Sequence, residues 1–326
     1  MKAVLRRLLL AMCLVMCLCL AGGFSVNAQT WPSRPITLVF AFGPGGSGDL
    51  VARRFAEFAS AALGQPIVVE NRPGGGGAVA AMAVSKSAPD GHTILLNANG
   101  PMVLRPILDQ AAGYDPVGGF SPIGLVGETP NVIIAGANFP VRSVQEAVDW
   151  AVKNPGRITV AHPGLGTMGH LGALLLASKA GITGNYVAYR DNTQMLPDIL
   201  GGRIDIGVAA YNPPQKAANI LAVMTDEPVE FLPGVPTTRE AGFPGVYASV
   251  WWALFGPPRL PPEIIAKLNA SMNAFLRSED ARTQMAAVGL RPLGGSAEDL
   301  ATRMAEEKVI WSKVVEDARI KMTDQK

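Results

Sequence analysis

The chain repeats one order of hydrophobic and polar positions: a short apolar run, a glycine-rich turn, then a segment with helical period. Residues 36–42 form a nearly continuous apolar run, and Gly43-Pro44-Gly45-Gly46-Ser47-Gly48-Asp49 follows at once. Leu50, Val51, Phe55, Phe58, Ala59 and Ala62 then recur at helical spacing until Gly64. A second apolar run lies at 67–70. The glycines at 74–77 open a helix over about 78–87, Pro89-Asp90-Gly91 reads as a turn, and 93–97 reads as a strand. This β-α-β-α-β order predicts a parallel sheet with helices on both faces.

A second unit of the same kind follows. Strands are expected at 123–126 and 132–135, separated by Glu128-Thr129-Pro130-Asn131. Ser143 and Glu146 have capping-box spacing before a helix at 147–153. The apolar run 158–162 leads into Gly164-Leu165-Gly166-Thr167-Met168-Gly169-His170, and 171–180, apolar nearly all round, predicts a buried helix. Strands at 187–189, 204–209 and 220–223 and a helix at 195–200 complete the unit. Two amphipathic helices come last, one carrying Ile264, Leu268, Met272 and Phe275, the other at 297–315 with Ser296 and Asp299 as its cap. The economical packing returns them to the first unit. The chain then crosses between two lobes near 128–132 and near 246–252, with a hinge at the crossings and a cleft between the lobes. Lobe 1 is expected to comprise residues 29–129 and 250–326, and lobe 2 residues 130–249.

The duplicated strand–glycine–helix turn carries the chemistry. Helix starts present unpaired N–H groups and a partial positive charge, and glycine lets a ligand approach that backbone closely. Two such turns can hold a small anion from both sides. Gly43, Gly45, Gly48 and Gly164, Gly166, Gly169 also satisfy the dinucleotide spacing, with Glu70 and Asp191 about 20 residues on. That reading ranks second. Asp49 at the helix start would repel a pyrophosphate, and one dinucleotide needs only one such turn. No P-loop or nucleophile elbow is present. His92, His162 and His170 are the only histidines, and no third ligand stands at metal spacing, so no metal and no cofactor are expected.

The leader sets the compartment. Lys2, Arg6 and Arg7 precede a 13-residue apolar run at 8–20, and Val26-Asn27-Ala28 fits a cleavage site. A signal peptide at 1–28, cut after about Ala28, implies periplasmic export. All three cysteines, Cys13, Cys17 and Cys19, lie within it, so the exported chain has no disulfide or thiolate chemistry. It retains 25 basic against 26 acidic residues, which gives no footprint for nucleic acid.

At this point the chain resembles a known family. Trp31-Pro32-Ser33-Arg34-Pro35-Ile36, the Gly-Gly-x-x-Asp turn at 45–49, Asn71-Arg72-Pro73-Gly74, Ala88-Pro89-Asp90-Gly91-His92, Gly201-Gly202-Arg203-Ile204-Asp205 and Val235-Pro236-Thr237-Thr238 look like the Bug-type receptors, the extracytoplasmic solute-binding proteins of tripartite tricarboxylate transporters. The resemblance implies an α/β, two-lobed type II periplasmic binding protein (a Venus flytrap), each lobe a mainly parallel sheet flanked by helices. It implies a small mono-, di- or tricarboxylate as ligand and membrane transporter subunits as partners. Carried over by position, the contacts are Gly46, Ser47, Gly48, Asp49, Asn99 and Gly100 on one side, and Gly166, Thr167, Met168, His170, Tyr189 and Arg190 on the other. The chain departs from the family pattern at Thr167-Met168 (often Thr-Ser), at Arg190-Asp191 (often Lys-Gly) and at Ala209-Ala210 (commonly Asp-Asn). The last change removes a carboxylate suited to an amino acid's ammonium. A monomer is expected. A ligand-sensing subunit for a membrane kinase stays open as an alternative, and an exported enzyme ranks low because no nucleophile–base set is visible.

Overall fold

The computed structural model describes residues 31–108, 113–189 and 192–318. The leader, Arg190 and Asp191 lie outside these residues. Strand β1 (Ile36–Phe40) is almost wholly buried, as a central parallel strand must be. It pairs in parallel with β2 (Ile67–Asn71) and β3 (Thr93–Ala98). Between them run helix α1 (Ser47–Leu63) and the shorter α2 (Ala78–Ser85). Gly64 ends α1 in the left-handed conformation at φ 71°, which favours glycine.

The predicted break at 128–131 is absent. Strand β4 runs unbroken over Ser121–Ala135, a correction to the sequence reading. Gly124 and Gly127 fall where its register shifts, and a Cβ at Gly127 would lie 2.4 Å from Leu290 and 2.6 Å from the Arg291 carbonyl. Glu128, a turn-like residue in sequence, is neutralised inside the strand by Arg291 and Arg303. β4 changes partner midway. Residues up to Pro130 pair with β9 (Ser249–Gly256), and residues from Asn131 pair with β7 (Ile206–Ala210).

The second half repeats the plan. Helix α3 (Val144–Lys153) starts at Ser143, whose side chain accepts from Glu146 N. Strand β5 (Thr159–His162) lies parallel between β6 (Asn185–Ala188) and β7. Helix α4 (Met168–Ala180) is buried on most of its surface, as its all-round apolar pattern requires. Helix α5 (Asn192–Leu200) precedes β7, and β8 (Asn219–Val223) pairs with β4. The strand order is β2-β1-β3-β9-β4-β7-β5-β6. Parallel pairing thus holds for the three outer strands at each end, while β4, β8 and β9 pair antiparallel.

After β9 come α6 (Pro262–Arg277), α7 (Glu279–Ala287), the short β10 (Arg291–Gly294) on β4, and α8 (Ala297–Asp317). As expected, α6 returns to the first unit. Phe275 meets Phe55 and Phe58 of α1 at 5.9 and 5.8 Å. Ser296 and Asp299 form the expected capping box.

Candidate functional site

The two glycine turns are built alike. In the first, Gly46 is the N-cap of α1 and supplies no side chain. The amides of Ser47, Gly48 and Asp49 therefore have no partner among the described residues. The Asp49 carboxylate turns back instead. Oδ2 accepts from Gly45 N at 3.0 Å and from Arg53 Nε at 3.0 Å, and Oδ1 accepts from Asn71 Nδ2 at 2.8 Å. Burial would raise its pKa, but the bonds from Arg53, Asn71 and Gly45 outweigh it and hold Asp49 below the usual range. Its charge is thus compensated within the turn, and its contribution to a ligand is a backbone N–H.

In the second turn His170 stands where Asp49 stands in the first. Its Nδ1 accepts from Gly166 N at 3.1 Å, so this nitrogen carries no proton. Thr167 caps α4. Its Oγ1 accepts from His170 N at 3.3 Å and donates to Gly164 O at 2.7 Å. The Gly166 and His170 amides are consumed this way, leaving those of Met168 and Gly169. His170 stacks on His162 with ring centroids 4.1 Å apart. Burial first, then the neighbouring imidazole, lower its pKa from 6.5 to about 4.

The other expected contacts fall elsewhere. Asn99 is fully buried and donates Nδ2 to Ser249 O at 2.8 Å, tying the end of β3 to β9. Gly100 follows it, half-buried. The Tyr189 hydroxyl donates to Asp198 Oδ2 at 2.6 Å, and burial, then Asp198, push its pKa up to about 12. Arg190 lies outside the described residues.

A cavity of about 360 Å³ opens beside the start of α1, lined by Ser47, Thr129, Asn192, Ala210, Tyr211, Asn212, Pro213, Val250, Trp252 and Val288. It draws on the central strands β4, β7 and β9 and on the starts of α1 and α5. Of the eleven expected contacts among the described residues, Ser47 alone lines it. Trp252 is its floor. Phe42 braces that ring edge-on at 5.4 Å, and a Cβ on Gly48 would lie 2.9 Å from it. Sequence spacing missed Asn192 and Val288, because neither belongs to a motif and each arrives from a different segment.

Next to this cavity lies a buried ionic cluster. Glu128, fully buried, accepts from Arg291 Nη2 at 2.5 Å and Arg303 Nη2 at 2.8 Å, and also from Ser249 Oγ at 2.8 Å and the Tyr247 hydroxyl. Arg303 Nε reaches Glu307 Oε1 at 3.0 Å, which also accepts from Trp251 Nε1 at 2.7 Å. Burial alone would raise the Glu128 pKa, but Arg303 and Arg291 overcome it and keep it ionised.

A mixed sheet flanked by helices, with paired glycine turns and a cavity reached from both halves, defines a two-lobed type II periplasmic binding protein. The chain belongs to the tripartite tricarboxylate transporter family receptors, whose profile it matches over residues 51–320. Among solved structures it is similar to the R. palustris protein Rpa4515 with adipate, at 32% identity and TM-score 0.74 over 89% of this chain and 99% of the other. It is similar to MatC from Rhodopseudomonas palustris with bound malate, at 31% identity and TM-score 0.70 over 87% and 100%. It is also similar to the periplasmic binding protein BugD, at 30% identity and TM-score 0.70 over 89% and 99%. These relatives are binding proteins, and the family is one of receptors.

Proposed function

We propose that this chain is a non-catalytic periplasmic receptor that captures a small organic carboxylate between its lobes and delivers it to a tripartite tricarboxylate-type membrane transporter. Residues 1–28 direct export and are removed after about Ala28, and the mature receptor is a monomer. Lobe 1 comprises residues 29–129 and 250–326, and lobe 2 residues 130–249. The partner change of β4 between Pro130 and Asn131 supports a hinge at 128–132, with its second strand at 246–252.

The observation that carries this reading is the start of α1. Three unpartnered amides at the positive end of a 17-residue helix stand beside a cavity that the second half of the chain also lines. The adipate and malate complexes of relatives support a carboxylate as the ligand class. Gly46, Ser47, Gly48 and Asp49 act through backbone N–H groups, and on closure Gly166, Thr167, Met168 and His170 bring up the second helix start, with Asn99, Gly100, Tyr189 and Arg190 around them. No acid, base or thiol lines the cavity among the described residues, which favours binding over catalysis. Ala209 is fully buried and Ala210 presents a methyl group, so an ammonium finds no carboxylate there.

The test is a thermal-shift screen on protein purified from the periplasm, with carboxylates, amino acids and dinucleotides. A carboxylate at a hundred times its Kd should add about 2.7 kcal/mol, or roughly 4 °C for a chain of this size. A shift with NAD or NADP alone would overturn the reading. N-terminal sequencing of the same sample should begin at Gln29.

A further inference from the structure

A second space of about 520 Å³ adjoins the cavity, and its two walls carry opposite charges. One wall is the segment 227–231, in which Val229 is buried with Val132, Ile134 and Val223 in the core of the second half. The other is built from α6, α7 and β10, and Phe275 of α6 ties it to Phe55 and Phe58 in the first half. Glu227 and Glu230 stand on the first wall, and Arg277, Arg282 and Arg291 on the second. Arg291 Nη1 lies 3.7 Å from Glu227 Oε2, longer than a hydrogen bond, while its Nη2 holds Glu128. Among the described residues Glu230, Arg277 and Arg282 have no ion-pair partner.

The cavity and this groove are separated by one contact. Gly289 packs against Tyr211 so closely that a Cβ on it would lie 2.6 Å from the ring. Val288, on one side of Gly289, lines the cavity, and Leu290, on the other, lines the groove. On the facing wall Tyr211 lines the cavity, and Phe231, stacked on it at 5.4 Å, lines the groove. The walls therefore touch between two open spaces.

We propose, resting on the receptor reading above, that the Gly289–Tyr211 contact is a fulcrum and that the charged groove beyond it is a latch holding the ligand cleft open. Walls that already touch at one point can turn about it but cannot approach there, so narrowing the groove widens the cavity. Attraction between walls of opposite charge narrows the groove. A carboxylate that closes the cavity has to draw the charged walls apart, and its apparent affinity is lowered by that work. The latch thereby keeps the empty receptor from closing. Its charges are solvent-exposed, Glu227 by 82%, so salt screens the attraction.

The experiment is isothermal titration of the receptor purified from the periplasm with adipate, malate, citrate and benzoate, at about 20 mM and about 500 mM NaCl. Whichever of these acids binds, the double variant Glu227→Gln/Glu230→Gln should bind it about two- to fivefold more tightly than the parent at low salt. The advantage should vanish at high salt. Arg277→Gln/Arg282→Gln should give the same gain from the other wall. Arg291 is left in place because it holds Glu128. All four altered side chains are exposed, and urea midpoints equal to the parent's confirm that the variants are folded. Weaker binding by either double variant means that the groove closes together with the cavity, which overturns this inference and leaves the receptor reading standing. Unchanged affinity at low salt overturns it too, as does a gain that persists at high salt. Failure of every acid to bind overturns the receptor reading, and this inference with it.

Discussion

Asp49 and His170 occupy the same place in two turns that share only their glycines. Each side chain accepts the N–H of the glycine four residues earlier, one as a compensated carboxylate and the other as a neutral imidazole. His170 must stay neutral to do so, which gives the fold a pH dependence. An imidazole whose pKa is depressed on folding binds its proton first in the unfolded chain. Its contribution is therefore complete above about pH 6.5 and is lost as pH falls towards about 4. The loss should reach at most about 3 kcal/mol. Urea midpoints measured across that window should fall, and His170→Gln should flatten the slope. Gly48 makes a steric prediction. A Cβ there would lie 2.8 Å from Phe40 and 2.9 Å from Trp252. Gly48→Ala should cost about 1–3 kcal/mol through overpacking, and tryptophan fluorescence should report the displaced Trp252. The glycines and Asp49 were legible from spacing alone. The Asn71 bond to Asp49 was not, since it joins residues 22 apart along the chain.

At the scale of elements, β4 and β9 decide the architecture. Sequence periodicity resolves β1, β2, β3 and β5, because each is a short apolar run with a glycine turn close behind it, whereas β6 is exposed at both ends and lies at 185–188, two residues ahead of its expected start. Periodicity breaks β4 at Glu128, since a carboxylate and a proline are ordinary turn residues. The strand continues because Arg291 of β10 and Arg303 of α8 neutralise Glu128 from segments more than 160 residues away. Helix α7 and β10 also went unread, their apolar positions being too few to show a period. The cluster should dominate the stability of the proposed hinge. Arg303→Met leaves Glu128 buried with one guanidinium, and Glu307 loses its cation. Denaturant unfolding should show a loss of about 3–5 kcal/mol, with the denaturant slope unchanged if folding stays cooperative.

For the whole molecule, the proposed receptor reading predicts closure. The α1 amides and the second glycine turn stand on different sheet ends, each built on its own three parallel strands. A ligand that contacts both favours the closed arrangement by its difference in affinity for the two states. Small-angle scattering should show the radius of gyration falling when a bound carboxylate is added, and no change with an acid that fails the thermal-shift test.

The sequence alone determined the repeated strand–glycine–helix plan, the return of α6 to the first unit, the family resemblance and the two helix-start cradles. All of these rest on local spacing, on short-range hydrogen bonding, or on motifs read in a row. Only the tertiary structure decided that β4 is one strand, that Glu128 is held by two distant arginines, and that Asn192, Thr129 and Trp252 meet around one cavity. The physical reason is range. A turn's amides are aimed by their neighbours along the chain, whereas a buried charge and a cavity wall are made by residues that meet only after the sheet has formed.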